Sequence, residues 1–466
     1  MIKKRTVRLP ARAGAWYLVA GGIAKGMGVI CTPFFTRLLG ENDYGEFARY
    51  MSLLGGASLV LGAFTSGSGI YNGLVAQKNE KGAYLRSHLV VSVGATAAIC
   101  ILLLAFSPSL GIESILLVPL GMQLICDGAT AVMLSGDRFS YGYGRVCALT
   151  IVSAVAPPVL SIIWLKLLGG GYGVRIFFLL AVSLVIAVYS LLRLTRDGRN
   201  IAPVGRALKE SLPLLPQGIS SAVSSQADKL ILASMLGSSA LAKYSVVYSI
   251  GVAVQFIVTA VGSSLSPWII RRLRAREEER VSKLITPMAI GYSALILCVL
   301  ALAPEGMRIL APGEYLEALP ALMPIAITVP LYFISYAAGV GIHFSGRKSY
   351  PLIISTAAAI GSVILNYAFV GAIGYLGGGM ALMITSLISA VLSVFLLKRS
   401  GYGDMISIRE VTGAVAISFP VGWAISTLYD RPILRLCILV IPAAMLLYAL
   451  YLILPQVIEK GGKSRP

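Results

Sequence analysis

Acidic side chains are scarce in this chain: 20 Asp and Glu stand against 39 Lys and Arg in 466 residues, and charged residues make up only 13%. Histidine is scarcer still, with His88 and His343 the whole supply. There is no H-E-x-x-H run and no candidate Ser-His-Asp set, so hydrolytic and zinc-dependent chemistry has nothing to build on. The six cysteines (Cys31, Cys100, Cys126, Cys147, Cys298, Cys437) have no paired spacing and fall inside or at the ends of apolar stretches. They read as small core residues rather than disulfides or metal ligands. A phosphate-binding loop is missing too. Gly461-Gly462-Lys463-Ser464 imitates the end of one, but Val457 stands where the first glycine belongs and no strand precedes it.

What remains is apolar. A chain that is 57% hydrophobic, with mean hydropathy +0.83, is an all-α polytopic membrane protein. About fourteen spans are expected, at 15–38, 46–70, 88–107, 114–134, 146–168, 175–193, 212–236, 243–266, 284–303, 321–344, 350–373, 377–397, 410–429 and 433–454. On that map 29 of the 39 Lys and Arg lie on the side of the N-terminal tail. Eight lie opposite (Arg37, Arg49, Lys166, Arg175, Lys243, Arg308, Arg431, Arg435), and Lys25 and Lys229 sit within spans. The positive-inside rule then puts both termini in the cytoplasm. No cleavable signal peptide is apparent, since the basic start leads straight into a span. Most of the +19 net charge is topogenic and faces anionic lipid headgroups, so no nucleic-acid partner is expected. The run Arg271-Arg272-Leu273-Arg274-Ala275-Arg276 reads as an anchor after span eight, with gating or partner contact as the alternative.

The chain echoes itself. Leu39-Gly40 in the turn Leu39-Gly40-Glu41-Asn42-Asp43-Tyr44-Gly45 lines up with Leu236-Gly237, Gly45 with Ala242 and Phe47 with Tyr244. Gly136-Asp137-Arg138 and Gly346-Arg347-Lys348 form a second pair at nearly the same separation. Two six-helix lobes related by an internal repeat follow, as in many secondary transporters. The expected division is an N-terminal lobe at 1–195, a basic cytoplasmic linker at 196–210, a C-terminal lobe at 211–400, and two extra spans with a cytoplasmic tail at 401–466.

Three spans carry the polar residues. The first holds Lys25 in an apolar helix loosened by Gly21, Gly22, Gly26 and Gly28 and bent at Pro33; an ammonium at that depth faces a bundle interior or a water-filled cavity. The fourth holds Gln123, Asp127 and Thr130 on one helical face, with Asp127 near mid-membrane, where an ionised carboxylate needs a partner or takes up a proton. In the seventh, Gln217, Ser221, Ser224/Ser225 and Asp228 recur at helical spacing beside Lys229. Such a stripe lines an aqueous cavity or forms a hydrogen-bonded seam between helices. Elsewhere, Pro157-Pro158 should kink or break span five, His343 reads as interfacial, and Glu305, Arg308, Glu314 and Glu317 read as a solvated outer loop.

Lys25 followed by Pro33-Phe34-Phe35-Thr36-Arg37-Leu38-Leu39-Gly40 and then Asp43-Tyr44-Gly45-Glu46-Phe47 resembles the opening signature of the polysaccharide exporters and O-antigen flippases. Asp228-Lys229-Leu230-Ile231-Leu232 with Leu236-Gly237 and Tyr244 resembles its counterpart in that family's second lobe. The same superfamily includes peptidoglycan-precursor flippases and multidrug and toxin extrusion transporters. Here Ala242 stands where the family has glycine in the second turn, and fourteen spans are more than typical O-antigen flippases have.

The resemblance implies movement of an undecaprenyl-diphosphate-linked oligosaccharide (an O-antigen, capsule or exopolysaccharide repeat unit) from the inner to the outer leaflet of a bacterial cytoplasmic membrane by alternating access. Lys25 and Lys229 would bind diphosphate or acidic sugars in a low-dielectric cavity, with Arg37 and Arg49 nearer its outer mouth. Asp127 and Asp228 would balance charge or bind a coupling H+ or Na+, and Gln123, Gln217, Ser221 and Ser224 would line the cavity. No cofactor and no catalysis are expected, while a polysaccharide polymerase and a chain-length regulator are expected partners. The alternatives are a cation-coupled multidrug exporter of the same superfamily and a polyprenyl-dependent membrane glycosyltransferase or polymerase. The basic excess disfavours the first, and the absence of a sizeable outer loop disfavours the second.

Overall fold

The computed structural model describes residues 2–66, 68–76, 80–110, 114–196, 198, 200–347 and 349–458. The Gly461–Ser464 run, Arg199 and Lys348 lie outside them, as do the side chains of the basic run 3–12. The chain is helical, with no strand among the described residues. In order the helices are α1 (Ile2–Leu38), α2 (Gly40–Thr65), α3 (Ser68–Ala76), α4 (Lys81–Leu110), α5 (Leu117–Phe139), α6 (Tyr143–Leu168), α7 (Tyr172–Arg196), α8 (Val204–Ser211) and α9 (Leu215–Leu236). Then follow α10 (Ser238–Arg274), α11 (Glu278–Ala301), α12 (Ala303–Leu310), α13 (Leu322–Phe344), α14 (Ser349–Arg399), α15 (Ile408–Thr427), α16 (Pro432–Ile438) and α17 (Val440–Ile458).

Among the described residues, 11 helices are long and apolar enough to cross a membrane. One of these, α14, is two helices joined at Ile373 and Gly374, whose backbones leave the helical region. With that helix counted twice, and with α9 and α15 added, the expected fourteen spans are present. Its polar stripe keeps α9 out of the apolar set. This is a multi-pass membrane protein.

The break in α14 falls at Gly374, with φ of +59°, a left-handed conformation that glycine adopts without a Cβ penalty. Of the kink or break expected at Pro157-Pro158 there is no break, because α6 runs unbroken from Tyr143 to Leu168. Each proline removes only one backbone donor, and helix neighbours in a membrane accommodate that loss.

The chain packs as two compact units, residues 1–242 and 243–466. In the first, α2 is the central pillar. Phe47, Tyr50, Leu53, Leu54, Ala57 and Leu61 are buried against α5 and against Ile176 of α7, with Leu230 of α9 packed on the same cluster, and α9 runs along α2. The segment after α7 is strapped down rather than free. Arg86 of α4 donates to the carbonyls of Leu194 and Asn200, both at 2.6 Å, and the Tyr84 hydroxyl donates to Glu210. In the second unit α13 is the buried helix, with α11 packed on α13, α15 and α17. There Glu305 and Glu317, expected to be solvated, are exposed and also paired. Glu305 accepts from the fully buried Arg435, and Glu317 accepts from Lys243 at 2.8 Å.

Candidate functional site

The turn that carries the family resemblance is where α1, α2, α9 and the start of α10 meet. The chain reverses at Gly40, with φ of +72°. The first turn of α2 then presents Glu41 and Asp43, anions at the positive end of a helix dipole. Ser238 donates to Glu46 and Ser239 donates to Glu41. Gly45 permits this approach, since a Cβ there would lie 1.8 Å from the Ser238 carbonyl oxygen. Ala242, at the corresponding place in the second turn, is fully buried.

Arg49 lies one turn further along α2. Its guanidinium donates to the Ala233 carbonyl at 3.1 Å and stands 3.6 Å from Glu46. It therefore ties α2 to the carbonyl end of α9, where a cation suits the helix dipole. Below it, Asp228 is buried, and Lys229 is 4.0 Å from its carboxylate while reaching back to the Ser225 carbonyl at 3.3 Å and Gln226 Oε1 at 3.4 Å. Gln226 lies over Gly55 and Gly56 of α2; a Cβ on Gly55 would be 3.1 Å from Gln226 Nε2. The stripe on α9 is thus divided. Its Asp228–Gln226 part forms a seam with α2, whereas Ser221 and Ser224 are half-buried and Gln217 is exposed.

A separate polar cluster joins α5 to α7. Gln123, almost fully buried, donates to Asp127 Oδ1 at 3.0 Å and to Ser183 Oγ at 2.6 Å. Thr130 only returns to the Cys126 carbonyl of its own helix, at 2.9 Å. On α1, Lys25 is exposed and has no hydrogen bond or ion pair with the described residues. Arg37 is exposed near the Pro33 carbonyl, at 2.9 Å. Of the four expected cations, then, the structure brings Arg49 and Lys229 to the α2–α9 seam.

One half-buried cation escaped the sequence reading. Arg175 of α7, counted there only among the eight cations of the side opposite the N-terminal tail, places its guanidinium 3.7 Å from the ring centres of both Phe35 and Phe47. A desolvated guanidinium between two aromatic faces is held by the ring quadrupoles. The signal available in the sequence was the aromatic pair itself, because Phe35 and Phe47 bracket the Leu39–Gly45 turn.

Some fourteen membrane-length helices, among them a polar helix seamed to a glycine-bearing partner, define a multi-pass integral membrane protein. The sequence model of the polysaccharide biosynthesis protein family matches residues 34–284, and the chain belongs to that family. Its fold is similar to that of the lipid II flippase MurJ in an inward closed conformation, with a TM-score of 0.73 and 14% identity over 94% of this chain and 99% of the other. It is also similar to an inward-facing multidrug resistance MATE family transporter of the MOP superfamily, with a TM-score of 0.56 and 14% identity over 84% and 95% of the two chains. A MOP superfamily transporter from Pyrococcus furiosus gives a TM-score of 0.56 at 14% identity over 84% and 97%. No curated protein matches this sequence.

Proposed function

We propose that this protein moves an undecaprenyl-diphosphate-linked oligosaccharide from the cytoplasmic to the outer leaflet of a bacterial inner membrane, with both termini in the cytoplasm. One observation carries the reading: α9 holds a membrane-depth Asp-Lys pair on a polar stripe whose Gln217 end is exposed. Lipid-facing helices do not bear such a stripe, because every unpaired polar group in hydrocarbon costs several kcal/mol. A substrate with a charged, hydrated head and an apolar tail supplies the matching need.

In this reading Lys25 and Lys229 receive the diphosphate or acidic sugars, with Arg37 and Arg49 further out. Asp127 and Asp228 balance the cations or take the coupling H+ or Na+. A polymerase and a chain-length regulator act on the product. The family to which the chain belongs and the basic majority among these residues support an anionic glycan over a cationic drug.

The decisive experiment follows lipid-linked oligosaccharide by leaflet with an impermeant glycan probe in cells lacking the protein. Inner-leaflet accumulation relieved by wild type, but not by Lys25→Ala or Lys229→Ala inserted at normal levels, is the expected result. Full relief by both variants would remove the cationic site. Normal outward display in the deletion strain, with no redundant flippase, would remove the function.

A further inference from the structure

Three spans of the first unit end around one cavity, on the side that carries the basic loops. α4 begins with Lys81, α5 ends at Phe139, and α7 ends with Arg193 and Arg196. The cavity has a volume of about 490 Å³ and is lined by Lys81, Arg193 and Arg196 together with apolar Leu74, Leu85 and Leu194. That volume lies within the range of small-ligand sites.

Asp137 also lines it, but its charge is already spoken for. Arg145 Nη2 donates to Oδ1 at 3.1 Å and its Nε stands 3.1 Å from Oδ2 as an ion pair without a hydrogen bond, and Arg193 stands 3.7 Å away. Among the described residues one lining carboxylate stands against Lys81, Arg193 and Arg196, with Arg145 beside it, which leaves the described wall positive. The Gly136-Asp137 pair builds the place: a Cβ on Gly136 would lie 2.7 Å from Leu85 Cδ1, so the glycine lets α5 close on α4 and sets Asp137 at the wall.

Helix dipoles explain only part of this charge. Arg193 and Arg196 in the last turn of α7 suit its negative end. Lys81 lies in the first turn of α4, which carries no acidic residue, and a cation there opposes the dipole. It leans over the Phe139 ring at 4.9 Å and lines the cavity.

We propose that this cavity binds the phosphate headgroup of an anionic phospholipid of the inner leaflet, outside the translocation path. Its depth, where three spans end, is headgroup depth, and its walls pair cations with aliphatic side chains, which is what a phosphate on an acyl glycerol presents.

The test uses full-length protein in detergent, titrated with phosphatidylglycerol, phosphatidylcholine or undecaprenyl phosphate and read by native mass spectrometry. Unfolding temperature without lipid is measured alongside to verify folding. Wild type should take up phosphatidylglycerol in preference to phosphatidylcholine. Lys81→Ala with Arg196→Ala should weaken phosphatidylglycerol binding by about tenfold, while Lys81→Arg with Arg196→Lys retains it. Should the alanine pair unfold, Arg196→Gln alone, at an exposed helix end, must still give a partial loss. Equal phosphatidylglycerol binding in wild type and variants overturns the proposal, and so does a loss confined to undecaprenyl phosphate, which would assign the cavity to the polyprenyl substrate. The readout involves no transport, so its failure leaves the translocation reading standing.

Discussion

Single glycines and one arginine set the packing of the first unit. At Gly45 a Cβ would collide with the Ser238 backbone, so Gly45→Ala must push α2 from the start of α10. Overpacking of this kind costs about 1–3 kcal/mol, and a lowered unfolding temperature should show it. Gly26 and Gly28 on α1 have no atom within 4 Å of an added Cβ. There Gly→Ala should stabilise the helix by up to about 1 kcal/mol; transport that falls while stability rises would identify α1 as a hinge. Arg175→Lys keeps the charge and loses the planar stack between Phe35 and Phe47, with an expected cost of about 2 kcal/mol. An unchanged melting curve would mean that the sandwich adds nothing to stability. The sequence shows that Gly45 and Arg175 exist and what types they are. It does not show that Ser238 or Phe35 and Phe47 are their neighbours, since those contacts are made by other helices.

Among the elements, α12 and α16 illustrate what composition conceals. The first falls in the stretch read as an outer loop and the second at the start of the last expected span, yet they are joined by Glu305 and Arg435. Desolvation acts to raise the Glu305 carboxyl, but its hydrogen bonds, including the one from Arg435, prevail and hold it below the ordinary carboxylate range. A lowered folded-state value means that the pair stabilises the protein above the unfolded value of about 4.3. That stability is lost as pH falls through the folded value. Wild type should therefore lose thermal stability in acid more steeply than Glu305→Gln, and parallel pH profiles would exclude the pair as the cause. α9 was legible in kind, since its stripe repeats at helical spacing. Whether the stripe faced a cavity or a seam was not legible, because period alone gives the face of a helix and not what lies opposite. The answer is mixed: Asp228 is sealed and Gln217 exposed.

For the whole molecule, the repeat and the packing divide the chain differently. The internal echo groups α9 with the later spans, whereas the first compact unit extends through Ala242 and includes α9. A repeat records how a chain is built, and a packed unit records which helices touch in one conformation. α9 is where the two part, seamed to α2 through Arg49 and Gln226. If alternating access operates, this seam and the Glu41–Ser239 contact must open. In a background without the native cysteines, a disulfide between Glu41→Cys and Ser239→Cys should stop glycan export, and reductant should restore it. Export that continues in the oxidised protein would show that α2 and α10 travel together.

The sequence by itself determined the membrane setting and the number of spans, because hydropathy and the cost of burying charge act on each segment independently of its neighbours. Tertiary structure alone decided which polar groups face each other. It paired Arg49 with a carbonyl of α9, placed Arg175 between two rings, split the stripe of α9 into a closed and an open part, and gathered Lys81, Arg193 and Arg196 around one cavity. Each is a relation between helices far apart in the chain, and only packing brings them within the few ångströms over which hydrogen bonds and charges act.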